Sequence, residues 1–415
     1  MAFKKVSVIG LGYIGLPTAA VIASRGIEVV GIDVSEKAVE TINQGKVHIV
    51  EPDLDMVVQA AVTMGKLRAS LTPEPAEAFM IAVPTPFKDG KKPDLSYIKK
   101  SAEAIAPVLE KGNLVILEST SPVGTTEKLA HWLQELRPDL SFPGQTDHEA
   151  NMHVAHCPER VLPGRVLEEL VSNDRIIGGM SKECSDKAIE LYKTFVRGQC
   201  IVTNARTAEM AKLTENSFRD VNIAFANELS IICDELKINV WELIALANRH
   251  PRVNILSPGP GVGGHCIAVD PWFIVDSAPK SARIIRTARE INDSKPHYVM
   301  DKVKAAADEF KRPVIACLGL AFKPDIDDLR ESPALDITCQ LAEMSIGEIL
   351  AVEPNIHGLP ASLLEKGIEL VNLDTALEKA NILVVLVDHK PFKALSINDV
   401  NTKVVVDTRG LFAHL

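Results

Sequence analysis

The sequence predicts an α/β protein: two doubly wound parallel-sheet domains joined by a long helix and a mostly helical central region. Three features carry that expectation. Short β-branched runs alternate with helical segments through roughly the first two hundred residues, the pattern of βαβ units on a parallel sheet. The same alternation resumes at residue 313 and runs to the end. Between them, residues 207–236 contain neither Gly nor Pro and repeat apolar residues near helical spacing.

In order along the chain, strands are expected at 5–9, 28–32, 79–83, 114–118 and 152–156. The texture changes at about Thr203. The long helix follows at 207–236, with Met210, Leu213, Val221, Phe225, Leu229 and Ile232 as its apolar residues, long enough to connect two domains. Helical texture continues at 241–247, is broken by the Gly/Pro-rich stretch 257–264, and resumes at 281–310. Strands at 314–318, 348–352, 382–387 and 403–406 make up the last region. The expected domains are therefore 1–203, 204–310 and 311–415.

A chain of 415 residues exceeds what one hydrophobic core usually supports, which agrees with several domains. Its net charge of −10 argues against a general nucleic-acid binder, so an anionic ligand must meet locally clustered Arg and Lys. Seven cysteines, scattered without paired spacing, read as reduced thiols rather than a disulfide framework or a metal site. The apolar stretch 6–23 is interrupted by Gly10, Gly12, Gly15 and Pro17, which argues against a membrane span. A strand directly after Lys4 and Lys5, with no leader-like segment, makes a cytoplasmic location the expectation.

The first strand runs into Gly10-Leu11-Gly12-Tyr13-Ile14-Gly15, and a helix opens near Leu16-Pro17. Glycines there permit a tight turn and close backbone approach, while the helix N-terminus offers free N–H groups and a positive dipole to a pyrophosphate. The second strand ends in Asp33, 18 residues beyond Gly15, where a carboxylate accepts hydrogen bonds from both ribose hydroxyls. That acid would repel a 2′-phosphate, and no Arg follows it, so the expected cofactor of this Rossmann-like domain is NAD. The bland alternative is a glycine turn that only packs helix on strand, with Asp33 as a solvated strand end. Strand, turn, helix and acid in register favour the cofactor. Two later strand ends, at Thr85 and at Ser119-Thr120-Ser121, place hydroxyls at the same carboxyl edge.

Gly261-Val262-Gly263-Gly264-His265-Cys266 sets a thiol straight after a glycine run. Most cysteines are small buried hydrophobes, but here the glycines expose backbone N–H groups and let a ligand approach. An NAD enzyme that needs a thiol suggests a four-electron oxidation. An alcohol gives one hydride and becomes an aldehyde; a thiolate adds to form a thiohemiacetal, which gives a second hydride and becomes a thioester that water cleaves. A base, an oxyanion stabiliser and a placed water must assist. On the long helix Lys212, Asn216 and Arg219 share one face, with Asn227 further along; this stripe suits either an anionic sugar ligand or plain solvent.

The motifs VIGLGYIGLP (8–17), VPTP (83–86), ESTSPVGTT (118–126), CPERVLPG (157–164), TAEMAKLTENSFRDVNIAFANE (207–228), GPGVGGHCIAVDP (259–271) and GLAFKPDIDDLRESP (319–333) occur in one order along nearly the whole chain. In these it resembles the UDP-glucose/GDP-mannose dehydrogenase family. The resemblance implies that Cys266 is the nucleophile, that Lys212, Asn216 and Asp270 assist proton transfer and stabilise the oxyanion, and that Glu159 and Thr120 manage the hydrolytic water. It implies NAD contacts from Gly10, Gly12, Tyr13, Ile14, Gly15, Asp33, Thr85 and Thr126, with Arg330 near the cofactor or the domain cleft. Substrate contacts would come from Arg160, Val161, Lys212, Asn216, Arg219, His250, Arg252, Gly263 and Lys323. It further implies a homodimer through the helical middle, a C-terminal domain for the UDP part, and a role in polysaccharide supply.

Where glucose-oxidising members carry a Lys, Val269 stands before Asp270, and Cys157-Pro158-Glu159-Arg160 replaces their Asn-Pro-Glu-Phe. This difference points to a UDP-N-acetylhexosamine, and the segment 250–255 points to UDP-N-acetyl-D-mannosamine oxidised at C6 to the uronate. The alternatives are the same chemistry on another UDP-hexosamine, such as UDP-N-acetylglucosamine, a single-hydride hydroxyacid-type dehydrogenase with Lys212 as base, and a binding module whose thiol is inert.

Overall fold

A computed structural model describes residues 3–145, 149–162, 164–264 and 266–412; Pro163 and His265, inside two of the motifs, lie outside them. By internal contact the chain divides into two compact units, Met1–Glu215 and Asn216–Leu415, and the division falls within the long helix Ala205–Leu236.

The first unit holds β1 (Lys5–Ile9), β2 (Glu28–Ile32), β3 (Leu67–Ser70), β4 (Ala78–Ile81), a short hairpin of β5 (Phe87–Lys88) and β6 (Lys92–Pro93), then β7 (Leu114–Leu117), β8 (His153–His156), β9 (Arg175–Gly179) and β10 (Cys200–Asn204). Its main sheet has eight strands in the order β10-β9-β8-β7-β4-β1-β2-β3. Alternate residues go to opposite faces: Val6, Val8 and Ile116 join one apolar cluster, and Ile9, Val115 and Leu117 the other. Strands covered on both faces read as unbroken apolar runs, which is why β1, β2, β4 and β7 were legible. The chain reverses direction in the strand order between β4 and β1, and a ligand crevice forms at such a switch point.

Strands β3, β9 and β10 were not anticipated. β3 and β10 are sheet edges whose outer residues face solvent, and Arg175 and two glycines break the apolar run of β9. The all-parallel expectation fails in the main sheet where β9 pairs antiparallel with β8, and again in the small β5–β6 hairpin.

The second unit holds β11 (Val314–Leu318), β12 (Glu348–Val352), β13 (Glu369–Leu370), β14 (Ile382–Val385) and β15 (Val404–Asp407), a wholly parallel sheet in the order β13-β12-β11-β14-β15. Before it come helices Val240–Ala247, Asp270–Ser277 and Arg283–Ala307. The apolar residues that gave the long helix its period divide: Leu213 is buried, while Met210, Phe225 and Ile232 are exposed. Its buried residues include the polar Glu209, Asn216, Ser217, Asp220 and Asn227 beside small apolar ones such as Ala208, Ala224 and Ala226. No described helix is long and apolar enough to cross a membrane.

Candidate active site

In the first unit the glycine turn is shaped by close approach. Gly10 sits at φ 89°, where a Cβ would lie 2.7 Å from the Ala82 carbonyl oxygen. A Cβ on Gly15 would stand 1.7 Å from the Gly10 carbonyl oxygen, so only glycine lets the helix Gly15–Ser24 begin so near the strand end. Gly12 is exposed and faces open space. That helix has no side-chain cap, which leaves first-turn N–H groups for an anion. Tyr13 and Ile14 lie on the same turn, exposed and half-buried. Thr85 Oγ1 is buried without a hydrogen-bond partner among the described residues, as a hydroxyl awaiting a ligand would be.

Asp33, half-buried at the end of β2, accepts the Leu11 N–H on Oδ2 at 2.9 Å and the Ser35 N–H on Oδ1 at 2.9 Å. A carboxylate offers about four lone-pair directions, so acceptor capacity remains for ribose hydroxyls. The second unit repeats the device and closes it. Gly319 N–H donates to Val352 O as Gly10 N–H does to Ile32 O, each at 2.8 Å, and Glu353 at the end of β12 accepts the Leu320 and Ala321 N–H groups at 2.8 and 3.0 Å. Glu353, however, is buried against His389 Nε2 at 3.0 Å, whereas Asp33 is open. The first turn therefore fits a dinucleotide. Asp33→Ala is expected to weaken NAD roughly 10- to 100-fold, the scale of a charge-assisted hydrogen bond, and to narrow discrimination against NADP. Affinities for both cofactors check this, and an unchanged ratio would remove the ribose contact.

Thr126 is fully buried; its hydroxyl and N–H both reach Glu209 Oε1, at 2.6 and 2.7 Å, and Glu209 Oε2 takes the Gly124 N–H at 2.6 Å. Burial pushes the Glu209 carboxyl up, against these hydrogen bonds. Thr120 is half-buried, two residues past the buried Glu118. Glu159 is buried, accepts the Arg160 N–H on Oε1 at 2.6 Å and pairs through Oε2 with buried Arg175. Arg160 reaches Glu215 at 2.9 Å and the Asp174 carbonyl at 2.6 Å; Val161 packs on the apolar cluster below. Lys212 is half-buried and forms no ion pair among the described residues.

In the second unit the structure brings three expected residues together. Cys266 is the only exposed cysteine of the seven. Its carbonyl accepts the Asp270 N–H at 2.9 Å, and buried Asp270 accepts the Asn216 amide at 2.5 Å. The loop ahead of the thiol is anchored by Asn227 of the helical stripe, together with Asn292, Asp220 and Arg289, which spacing does not reveal. Asn227 Oδ1 takes the Gly259 N–H at 2.9 Å and its amide donates to Asn292 Oδ1 at 2.9 Å. Asn292 donates to Asp220 Oδ1 at 2.8 Å, and Arg289 Nη1 donates to the same oxygen at 2.5 Å. A Cβ on Gly263 would lie 2.4 Å from the Glu331 carbonyl oxygen, so this loop lies flat on that segment.

Arg219, His250 and Arg252 are exposed, and the loop around the last two is tied by Asn248, which exchanges hydrogen bonds with Ile255 at 2.7 and 3.0 Å. Lys323 lines a recess with Pro260, Gly261, Phe322 and Arg409. Arg409, absent from the expected set, is held by Asp388 at 2.7 Å. Arg330 is exposed and paired with Asp328 at 2.6 and 2.8 Å. Glu118, Arg175 and Tyr192 were likewise missed. The only sequence signals for them were a carboxylate ending an apolar strand and a lone Arg opening one.

Comparison with known proteins gives one answer over the chain. Models of the UDP-glucose/GDP-mannose dehydrogenase family match its NAD binding domain at 4–196, its central domain at 206–294 and its UDP binding domain at 316–414. The NDP-N-acetyl-D-galactosaminuronic acid dehydrogenase of Ralstonia nicotianae is 66% identical, covering 99% of this chain and 97% of the relative. The UDP-N-acetyl-D-mannosamine dehydrogenase of Escherichia coli K12 is 62% identical over 99% and 100%. Among solved structures, UDP-D-ManNAc dehydrogenase from Pyrococcus horikoshii superposes with a TM-score of 0.88 at 39% identity, over 98% of this chain and 96% of that one.

Proposed function

The chain belongs to the UDP-glucose/GDP-mannose dehydrogenase family and is an NAD-dependent UDP-sugar dehydrogenase; from that premise we propose that it oxidises UDP-N-acetyl-D-mannosamine at C6 to the uronate in two steps through Cys266. The observation that carries the reading is the exposed thiol in a turn whose backbone is tied to Asp270, itself held by Asn216. NAD, when bound, accepts a hydride from the sugar carbon in each of the two oxidations.

Lys212 and Asp270 remove and return protons at the reacting oxygen. The sulfur of Cys266 adds to the aldehyde carbon, and the oxyanion formed is met by Lys212 and the Asn216 amide. Loss of the second hydride leaves a thioester. Glu159 and Thr120 orient a water; its oxygen bonds to the acyl carbon as the C–S bond breaks, and Cys266 is restored. Each product uronate thus requires one water and yields two NADH. Gly10, Gly12, Tyr13, Ile14, Gly15, Asp33, Thr85 and Thr126 serve NAD, with Arg330 beside it. Arg160, Val161, Arg219, His250, Arg252, Gly263 and Lys323 serve the sugar nucleotide.

The roles follow the boundaries read from the sequence: 1–203 for NAD, 204–310 for the thiol loop and the subunit surface, 311–415 for the UDP group. A homodimer through the long helix is supported by Phe218, Phe225 and Ile232, exposed at seven-residue spacing along it. Seven cysteines scattered without paired spacing suit the cytoplasm. The relative at 66% identity supports a second reading, a UDP-N-acetylhexosamine of galactosamine configuration. Turnover on UDP-N-acetyl-D-mannosamine, its galactosamine and glucosamine counterparts and UDP-glucose, with NADH counted per sugar, separates these. The expected result is two NADH per sugar with the mannosamine preferred; preference for UDP-glucose, or one NADH per sugar, refutes it.

A further inference from the structure

Among the buried carboxyls of the first unit, Glu118 is one that the chemistry above leaves without a task. Glu118 follows β7 directly, on the sheet face that carries Ile116, Cys157 and Tyr192. Its side chain is buried, Oε1 accepts the Tyr192 hydroxyl at 2.6 Å, and Oε2 is buried with no hydrogen-bond partner among the described residues.

The groups that bear on it are Glu159 and Cys157 from the segment after β8, Arg175 from β9 and Tyr192 from the helix Lys182–Tyr192. His156 is in register with Leu117 and belongs to the opposite face, where burial holds its ring neutral, down to about 3. Arg175 is the single cation among these groups. Its Nη1 is committed to Glu159 and its Nη2 to the Leu170 carbonyl at 3.0 Å. Two ionised carboxylates around one guanidinium would bury a net negative charge, which is strongly disfavoured. A proton on Glu118 Oε2 removes that charge and leaves Oε1 as the acceptor it already is.

We propose that Glu118 is a positioning residue for the thioester hydrolysis assigned to Glu159: held as a neutral acid behind it, Glu118 leaves Arg175 to the Glu159 carboxylate alone. The proposal rests on the reading of Glu159 given above. Burial, aided by the Glu159 charge and opposed by Tyr192 and Arg175, pushes the Glu118 carboxyl up to about 7. Burial also raises the Cys157 thiol and the Tyr192 hydroxyl, so both keep their protons and add no charge. No bond at Glu118 changes during the reaction except when alkali takes its O–H proton into solvent. A second carboxylate then competes for Arg175, and hydrolysis slows.

The test is the rate of the hydrolytic step in single-turnover experiments, followed from well below to well above pH 7. Wild type is expected to lose rate as the pH rises through about 7. Glu118→Ala also keeps Arg175 for Glu159, but it strips the Tyr192 hydroxyl of its acceptor and leaves a void behind Glu159, so it should be roughly 10- to 100-fold slower throughout, the scale of losing a supporting partner, with no alkaline fall. Glu118→Gln, an uncharged mimic of the acid, should restore the rate and lack the alkaline fall. Tyr192→Phe removes a hydrogen bond that favours the ionised form and should move the fall to higher pH.

Two readouts need no turnover. A carboxylic-acid C=O infrared band should disappear on raising the pH and be absent in Glu118→Gln. A raised folded-state value means that the stability tied to this proton is complete below the ordinary glutamate value of 4.5 and lost as pH rises through about 7. The Tm of wild type should therefore fall relative to Glu118→Gln across that window. An unchanged alkaline fall in Glu118→Gln, or no titrating acid band, overturns the proposal. Glu159→Gln should trap an acyl adduct on Cys266 by mass; its absence defeats the Glu159 reading, whereas its presence with an unchanged Glu118→Gln profile defeats only the role of Glu118.

Discussion

Cys266→Ser is expected to abolish conversion of the sugar nucleotide to its uronate, lowering kcat by roughly 10³- to 10⁶-fold, the range over which removal of a nucleophile acts, while leaving the affinity for the UDP sugar nearly unchanged. A serine hydroxyl is a weak nucleophile at its ordinary pKa, so the aldehyde made by the first oxidation is not held covalently and is not ready to give a second hydride. In a single turnover the variant should form at most one NADH per sugar where wild type forms two. Because Asp270 contacts Cys266 through its backbone carbonyl, the substitution leaves the turn and the Asn216 hydrogen bond in place, and lost activity reports on the sulfur. Two NADH per sugar at the wild-type rate would end the covalent mechanism. The single-hydride alternative requires instead that wild type itself form one NADH per sugar.

Arg289→Met is expected to be the most destabilising single change in the second unit. Arg289 and Asp220 have side chains only 2% and 0% exposed, and the same Asp220 oxygen also takes the Asn292 amide. Removing the cation leaves a buried carboxylate without compensation, a loss of about 3–5 kcal/mol. The effect is read from urea or thermal unfolding. Burial already holds the Asp220 carboxyl above its ordinary range, against the attraction of Arg289 and the hydrogen bond from Asn292. Without Arg289 it rises further, so the variant keeps its proton at higher pH than the unfolded chain does. Its stability is retained below the ordinary aspartate value of 3.8 and lost as pH rises through the new folded value, so the gap from wild type widens toward neutral pH. Adding Asp220→Leu should recover much of the loss, since a well-packed apolar pair replaces a buried ion pair at little cost. Failure of the double variant to recover, or a pH-independent gap, would show that packing by the Arg289 side chain is what matters.

This network also explains why part of the site was illegible. Arg289 and Asn292 sit three residues apart on one helix, which by itself reads as an ordinary solvated face. Their partners, Asp220 and Asn227, lie on another helix 65 to 72 residues away. Spacing leaves the stripe Lys212, Asn216 and Arg219 open between ligand and solvent, and the structure treats its members differently: Asn216 is buried on Asp270, Lys212 is half-buried, and Arg219 is exposed. Helical spacing placed them on one side but could not rank their depth. Likewise, the apolar residues that revealed the long helix include several that are not in a core, because the period of a helix shows which residues share a face and not what covers it.

Some features were set within short stretches of the chain. Strand and helix periods, the glycine turn with Asp33 at the next strand end, and the thiol after its glycine run all arise from the conformational freedom of glycine and the alternation of side chains along a few tens of residues. The amino-acid order alone therefore determined the α/β class, the NAD turn and the candidate nucleophile. Tertiary packing decided which similar-looking groups stay available: Asp33 remains open while Glu353, ending the equivalent strand of the second sheet, is sealed by His389. It also decided that Glu118 meets Tyr192 across 74 residues and that Asp270 meets Asn216 across 54. Hydrogen bonds act only at contact distance, and contacts between distant segments depend on strand register and helix packing, which no local pattern contains.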